Sequence, residues 1–333
     1  MKADLSVKIG KLHLNNPVMV ASGTFGYAEE FRDFLDLRKL GAVVTKTITL
    51  NPRQGNLPAR TCETPAGMLN SIGLENPGLD VFLRDKLPFL KKLGIPIIIS
   101  IASEEGPGEF VALAKRLDKV RDIAAMELNI SCPNIINSPQ STVHSPQDKT
   151  RNYRLSLPAG QAGSIDYRLI AQDPRATYEV VKRVRAVTRK TIITKLSPNV
   201  TDITEIARSA ERAGSDAVSL INTLTGMSID VEKRKPKIAS ITAGLSGPAI
   251  RPVAVRMVWE VYQKIKIPII GMGGIIDAAS ALEFFLAGAT AIGVGTANFI
   301  NPAATTEIIA GIKQYLHKNK IGGMKEVIGA LQV

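Results

Sequence analysis

A (β/α)8 barrel, the TIM barrel of the α/β class, is what this sequence predicts, and three observations predict it. Eight short runs rich in β-branched or other apolar residues recur along the chain, most followed by a stretch of helical periodicity. The runs are nearly continuously apolar rather than alternating, as parallel strands covered on both faces are. Eight repeats spread over most of the 333 residues fit a closed barrel with long βα loops over its C-terminal face. An open doubly wound sheet is the alternative.

The elements follow in order. Residues 5–14 alternate apolar and polar (Leu5, Val7, Ile9) and run into Asn15-Asn16-Pro17, which reads as a small N-terminal hairpin. Strands are expected at 17–21, 42–46, 96–101, 124–130, 191–196, 216–222, 267–272 and 291–295. Helices are expected at 28–40, near 109–121, after Asp173-Pro174 and over 202–213. In the last of these, Ile203, Ile206, Ala207 and Ala210 share a face, with Glu205, Arg208 and Glu211 off it. Val180, Val181, Val184 and Val187 repeat the pattern, and Gly94, Gly214 and Gly288 close helices ahead of strands.

Three connections are too long for simple turns. Residues 47–79 and 225–246 leave the C-terminal ends of the second and sixth strands, so they are expected to wall or cover the barrel mouth. The charged run 232–237 in the second of them reads as a solvated loop. Residues 135–172 are mostly polar, repeat Ser-Pro-Gln and hold no sustained period, so a flexible insertion in one barrel domain spanning 1–333 is expected there.

Composition excludes several classes. The formal charge of +12 is scattered along helices without a basic run interleaved with aromatics, which argues against nucleic acid and leaves anionic small molecules or an acidic partner. Two cysteines far apart, Cys62 and Cys132, with three histidines and no Cys-x-x-Cys, argue against a metal or iron–sulfur site held by this chain. No secretory signal and no long apolar run is present, so a cytoplasmic protein without a membrane anchor is expected.

The strand ends carry the chemistry. They supply Ser22, Lys46-Thr47, Ser100, Asn129 with Cys132, Lys195, Asn222-Thr223, Gly273-Gly274 and Gly295-Thr296. Small, polar or cationic groups at all eight ends make a polar funnel, which packing alone does not call for. The glycines of the last two strands suit a phosphate, since backbone N–H groups can approach an anion there; tight βα turns are the structural alternative. Neither is a GxGxxG fingerprint. Lys46 and Lys195 end apolar strands, where an ammonium needs an anion or an acceptor. Asn70, Asn129 and Asn222 suit a flat amide-like ligand. Cys132, held where Pro133 stops its strand, is either a buried bystander or a base; its ordinary pKa, about 8.5, leaves it mostly protonated near neutrality. Cys62 lacks such a context and reads as structural.

In combination, several motifs carry a resemblance: Ala21-Ser22-Gly23-Thr24-Phe25-Gly26, residues 67–78 (GMLNSIGLENPG), Asn129-Ile130-Ser131-Cys132-Pro133-Asn134, Lys195-Leu196-Ser197-Pro198-Asn199, Ile221-Asn222-Thr223, Leu245-Ser246-Gly247-Pro248, Gly271-Met272-Gly273-Gly274 and Gly295-Thr296-Ala297-Asn298. The chain resembles the class 1 dihydroorotate dehydrogenases, most closely the NAD-linked class 1B catalytic subunit, over most of its length outside 135–172. The resemblance implies FMN held by Ser22, Lys46, Thr47, Ser100, Asn129, Lys195, Ile221, Gly247, Gly273, Gly274, Gly295 and Thr296, the last four around its phosphate. It implies dihydroorotate held by Lys46, Asn70, Ser71, Ile72, Gly73, Leu74, Asn129, Asn222 and Thr223, with Cys132 as the base. It also implies a partner subunit carrying FAD and a [2Fe-2S] cluster, in a heterotetramer with a homodimeric core, passing electrons to NAD in pyrimidine biosynthesis.

Two departures from the family pattern stand out. Ser100 occupies a position where the family usually has Asn, so its contact with the flavin is expected to run through water. The segment after Cys132 is roughly 25–30 residues longer than the family's Gly-rich loop, an insertion whose closure entropy a barrel tolerates. The rival readings are a dihydropyrimidine dehydrogenase-like flavoenzyme, a flavin-free phosphate-binding isomerase or synthase barrel, and a basic binding protein.

Overall fold

The computed structural model describes residues 3–131 and 167–332. Eight parallel strands form one sheet: β1 Val18–Val20, β2 Val43–Val44, β3 Ile97–Ile101, β4 Ala125–Asn129, β5 Thr191–Lys195, β6 Ala217–Leu220, β7 Ile269–Met272 and β8 Ala291–Val294. Neighbours follow chain order from β2 to β8, and β8 pairs with β1. A parallel bridge between Met19 and Ala42 joins β1 to the start of β2 and closes the (β/α)8 barrel, with the Gly41 N–H donating to the Val18 carbonyl at 2.8 Å.

Burial on both faces explains the continuous apolar runs. Ile97, Ile99 and Ile101 pack in one core layer with Phe110, Leu113 and Leu117 of helix α1 (Pro107–Asp118), whereas Ile98 between them joins Ala125 and Ile193 in the other. The remaining long helices are α2 Pro174–Arg185, α3 Ile203–Arg212, α4 Arg251–Tyr262, α5 Ala278–Leu286 and α6 Ala304–Lys318. Three begin on an aspartate cap: Asp173, Asp202 and Asp277 accept backbone N–H groups of the first turn. Among the described residues no helix is long and apolar enough to cross a membrane.

The first connection is not the expected helix. Residues 28–40 hold two single 3-10 turns, Glu29–Phe31 and Leu37–Lys39. Ala28 turns left-handed at φ 69°, and Asp36 stays extended while its carboxylate takes the Arg38 N–H, so no α-helical ladder can run through. The ring of Phe31 instead stacks on buried Phe25, with centroids 3.8 Å apart. The second connection reaches helix through Gly78–Val81, a π turn at Phe82–Lys86 and Leu87–Lys91.

The N-terminal hairpin is Val7–Ile9 paired with Leu12–Leu14. The two long connections meet in a four-stranded antiparallel sheet, ordered Leu224–Met227, Thr242–Ser246, Gly67–Asn70 and Thr61–Thr64. Cys62 on its outer strand packs against a small core of Leu69, Ile238 and Ala243. The charged run lies in an exposed ribbon, Ile229–Asp230 against Lys235–Pro236. Of the segment 135–172, residues 135–166 fall outside the described residues, as do Cys132, Pro133 and Asn134. Residues 167–172 form a 3-10 helix whose Ile170 is buried and accepts the Thr177 hydroxyl at 2.7 Å.

Candidate active site

Every barrel strand ends on the same rim, and the rim opens into a cavity of about 370 Å³, within the usual range for small-molecule sites. Its walls bring together Ser22, Lys46, Thr47, Asn129, Lys195, Ile221, Gly247, Gly273, Gly274, Gly295 and Thr296. The roof sheet and its turns add Asn70, Ile72, Gly73 and Leu74 on one side, and Asn222 and Thr223 descend from the end of β6. Residues more than 270 positions apart in sequence thus face one space.

Two expected residues do not reach it. Ser71 is buried and turned away, accepting the Asn56 side-chain amide on its hydroxyl at 2.8 Å. Ser100 is also fully buried, and its hydroxyl is occupied by Thr47 at 2.9 Å and Glu127 at 3.1 Å. Ser100 thus stands behind Thr47, which lines the cavity in front of it. Cys132 lies outside the described residues, but Ser131 before it is fixed: the Asn222 amide donates to its hydroxyl at 2.9 Å and to its carbonyl at 3.2 Å.

The β7 and β8 ends form the anion cradle. Gly274 sits at φ 73°, and a Cβ there would lie 2.8 Å from the Gly247 carbonyl and from Arg251 Cβ, so the approach of the loops requires glycine. Among the described residues, the backbone N–H groups of Gly273, Gly274, Gly295 and Thr296 reach no protein acceptor. Four free donors at the mouth of a cavity fit a phosphate group. The Thr296 hydroxyl donates to Ser246 at 2.8 Å, tying the cradle to the roof.

The opposite wall is polar to unusual depth. Ser22 and Thr47 hydroxyls are 2.9 Å apart, Thr47 continues to Ser100, and Ser100 donates to Glu127. The Asn129 amide donates to Thr47 at 3.1 Å. The other oxygen of Glu127 accepts the Ser219 hydroxyl at 2.9 Å, and the Lys195 ammonium lies 3.9 Å from the oxygen that Ser100 meets. Burial holds the Lys46 ammonium below the ordinary lysine value, with Glu75 opposing the shift, Arg60 adding to it and Glu30 opposing it more weakly. Arg60 and Glu75 pair with each other at the rim. A half-buried, partly desolvated cation beside a row of amides is suited to a flat anion.

Glu127, Ser219, Arg60 and Glu75 are not among the residues expected from sequence. A signal for the first two exists. On β3 to β6 every second residue points inward, and a carboxylate in the middle of a buried strand needs a partner. For Arg60 and Glu75 no local signal exists, because the roof pairing that brings them to the rim joins distant segments.

The family model for dihydroorotate dehydrogenase matches residues 4–149 and 155–316. The chain is 50% identical over 332 residues to the "Dihydroorotate dehydrogenase B (NAD(+)), catalytic subunit" of Trichlorobacter lovleyi, covering 100% of both chains. It is 51% identical to the protein of that name from Geotalea daltonii, over 100% of this chain and 99% of the relative. The counterpart in Desulforamulus reducens is 51% identical over 99% of each. With the barrel, the cradle and the amide-lined cavity in the places that these motifs require, the chain belongs to the dihydroorotate dehydrogenase family.

Proposed function

We propose that this chain is the FMN-dependent catalytic subunit of an NAD-linked dihydroorotate dehydrogenase, oxidising dihydroorotate to orotate in the synthesis of UMP. The observation that carries the reading is the cavity itself. It has free backbone donors for a phosphate at one end, and a desolvated lysine among amides where a small anionic amide ring would lie. The names of the relatives support the same activity. The reading treats 1–333 as one cofactor-binding barrel domain with an insertion at 135–172.

Gly273, Gly274, Gly295 and Thr296 would hold the FMN phosphate, and Ser22, Lys46, Thr47, Asn129, Lys195, Ile221 and Gly247 its ring and ribityl chain. Bound FMN supplies the acceptor for the hydride that leaves C6 of the substrate. Lys46 meets the substrate carboxylate, and its desolvation makes that pairing strong. Asn70, Asn129, Asn222 and Thr223 orient the ring through its amide groups, and the backbone of 71–74 closes over it. Cys132 takes the proton from C5, next to the Ser131 that Asn222 holds. Positioned base and oriented substrate together bring the barrier down.

Electrons then leave through a partner subunit that reaches NAD; FAD and a [2Fe-2S] cluster on that partner, in a heterotetramer with a homodimeric core, complete the reading. The phrase "catalytic subunit" in the relatives' names supports the partner. The purified chain should be yellow and should bleach on anaerobic addition of dihydroorotate. A colourless protein that takes up no FMN sinks the proposal, and bleaching by dihydrouracil alone reassigns the substrate. Full-rate NAD⁺ reduction by the chain alone removes the partner.

A further inference from the structure

Resting on the flavin reading above, the geometry points to Glu127 as a positioning residue of the cofactor site. It sits in the barrel behind the cavity wall, fixing both the Lys195 ammonium and the direction of a hydroxyl chain. Glu127 and Lys195 have side-chain exposures of 2% and 5%. Lys195 faces the cavity, and Glu127 is its one ion-pair partner among the described residues. A buried carboxylate beside a single ammonium is tolerated when its other lone pairs are satisfied, and Ser100 on the adjacent strand β3 and Ser219 on β6, two strands away on the other side, satisfy them.

The direction follows from donor chemistry. A carboxylate only accepts, so Ser100 must donate to Glu127. The Ser100 oxygen then accepts from Thr47, and the Thr47 oxygen accepts from both Ser22 and the Asn129 amide. With Glu127 ionised, every proton of the chain points inward. Thr47 is then saturated, donating to Ser100 and accepting from Ser22 and Asn129, so Ser22 presents its lone pairs to the cavity beside the Lys46 and Lys195 ammonium groups. The wall selects a ligand edge that donates N–H groups beside an atom that gains negative charge. Loss of the Glu127 charge frees the chain to reverse and leaves the Lys195 cation unbalanced next to the ring.

The test uses the FMN-loaded protein and reads the two-electron midpoint potential of the flavin and its dissociation constant. Glu127→Gln keeps shape and removes the charge. Reduction adds negative charge to the ring, so an unbalanced Lys195 favours the reduced form. The expected result is a shift of at least tenfold in the reduced-to-oxidised ratio, about 30 mV upward for a two-electron couple. Lys195→Met should move it downward, and Glu127→Gln placed on Lys195→Met should move it partly back. If Glu127→Gln alone does not fold, the double variant compared with Lys195→Met decides, since the double variant buries neither charge. A wild-type protein that holds FMN, with midpoint and dissociation constant unmoved by Glu127→Gln in either background, overturns the role of Glu127 alone. A wild-type protein that takes up no FMN overturns the flavin reading and this role with it.

Discussion

Lys46 shows how one residue's setting becomes a measurable pH dependence. Burial lowers its pKa below the ordinary 10.5. Between the lowered value and 10.5 the unfolded chain binds more protons than the native one. The ligand-free protein should therefore gain stability as pH rises through that window. Binding of orotate should do the opposite, weakening as the same ammonium loses its proton. Titration calorimetry from pH 7 to 10 checks this, and Lys46→Met should bind weakly with a flattened alkaline limb. Cys132 is the second residue whose role is open to a direct assay. Cys132→Ala should keep the yellow flavin and lose turnover by about 10²–10⁴-fold, the worth of a positioned base. Cys132→Ser should be slow and recover at higher pH; stopped-flow flavin reduction measures both. Full turnover in Cys132→Ala would remove the thiol from the mechanism.

At the scale of elements, caps and turns explain both the agreement and the misses. The helix expected over 202–213 is found as α3 Ile203–Arg212, because Asp202 caps it and its apolar face has one consistent side. The helix expected over 28–40 is replaced by two 3-10 turns, because Asp36 captures a backbone N–H that a helix would have needed elsewhere. Asp277 caps α5 in a reciprocal box with Ser280, at 2.8 Å. Backbone and side-chain bonds from Ser280 hold its carboxyl below the ordinary 3.8. Its stabilisation is complete above 3.8 and is lost as pH falls through the lowered value. Asp277→Ala should cost about 1 kcal/mol in urea denaturation at pH 7, and progressively less as pH falls through the lowered value, with flavin content unchanged at pH 7.

Across the whole molecule, the strands bury apolar side chains both toward the barrel interior and toward the surrounding helices, and the site occupies the mouth of the interior. The inner positions run from Ile98 and Ala125 at the base to Ser100, Glu127, Asn129 and Lys195 near the mouth. Apolar packing below thus supports polar chemistry above. Phe284 of α5 is fully buried against Gly271 of β7, where a Cβ would come within 2.6 Å of its ring. Phe284→Ala should destabilise by about 3–5 kcal/mol, read by chemical denaturation. Because β7 leads directly into Gly273 and Gly274, the same variant should hold FMN more weakly. A variant as stable as wild type would show that this contact does not anchor the cradle strand.

Sequence alone determined the repeat, the strand ends and most of the cavity wall, because those follow from short-range patterns. Burial on both faces makes a strand read as an apolar run, and a polar or glycine residue just beyond it marks the rim. Tertiary structure alone decided what depends on distant segments meeting. The four-stranded roof pairs residues 61–70 with 224–246, and it brings Arg60 and Glu75 to the rim. Ser71 faces Asn56 rather than the cavity because a turn, not a motif, sets its direction. Ser100 stands one layer back because its short side chain is met by Thr47 and Glu127 from neighbouring strands. Periodicity tells which face a side chain takes; only the neighbours on that face tell what it touches.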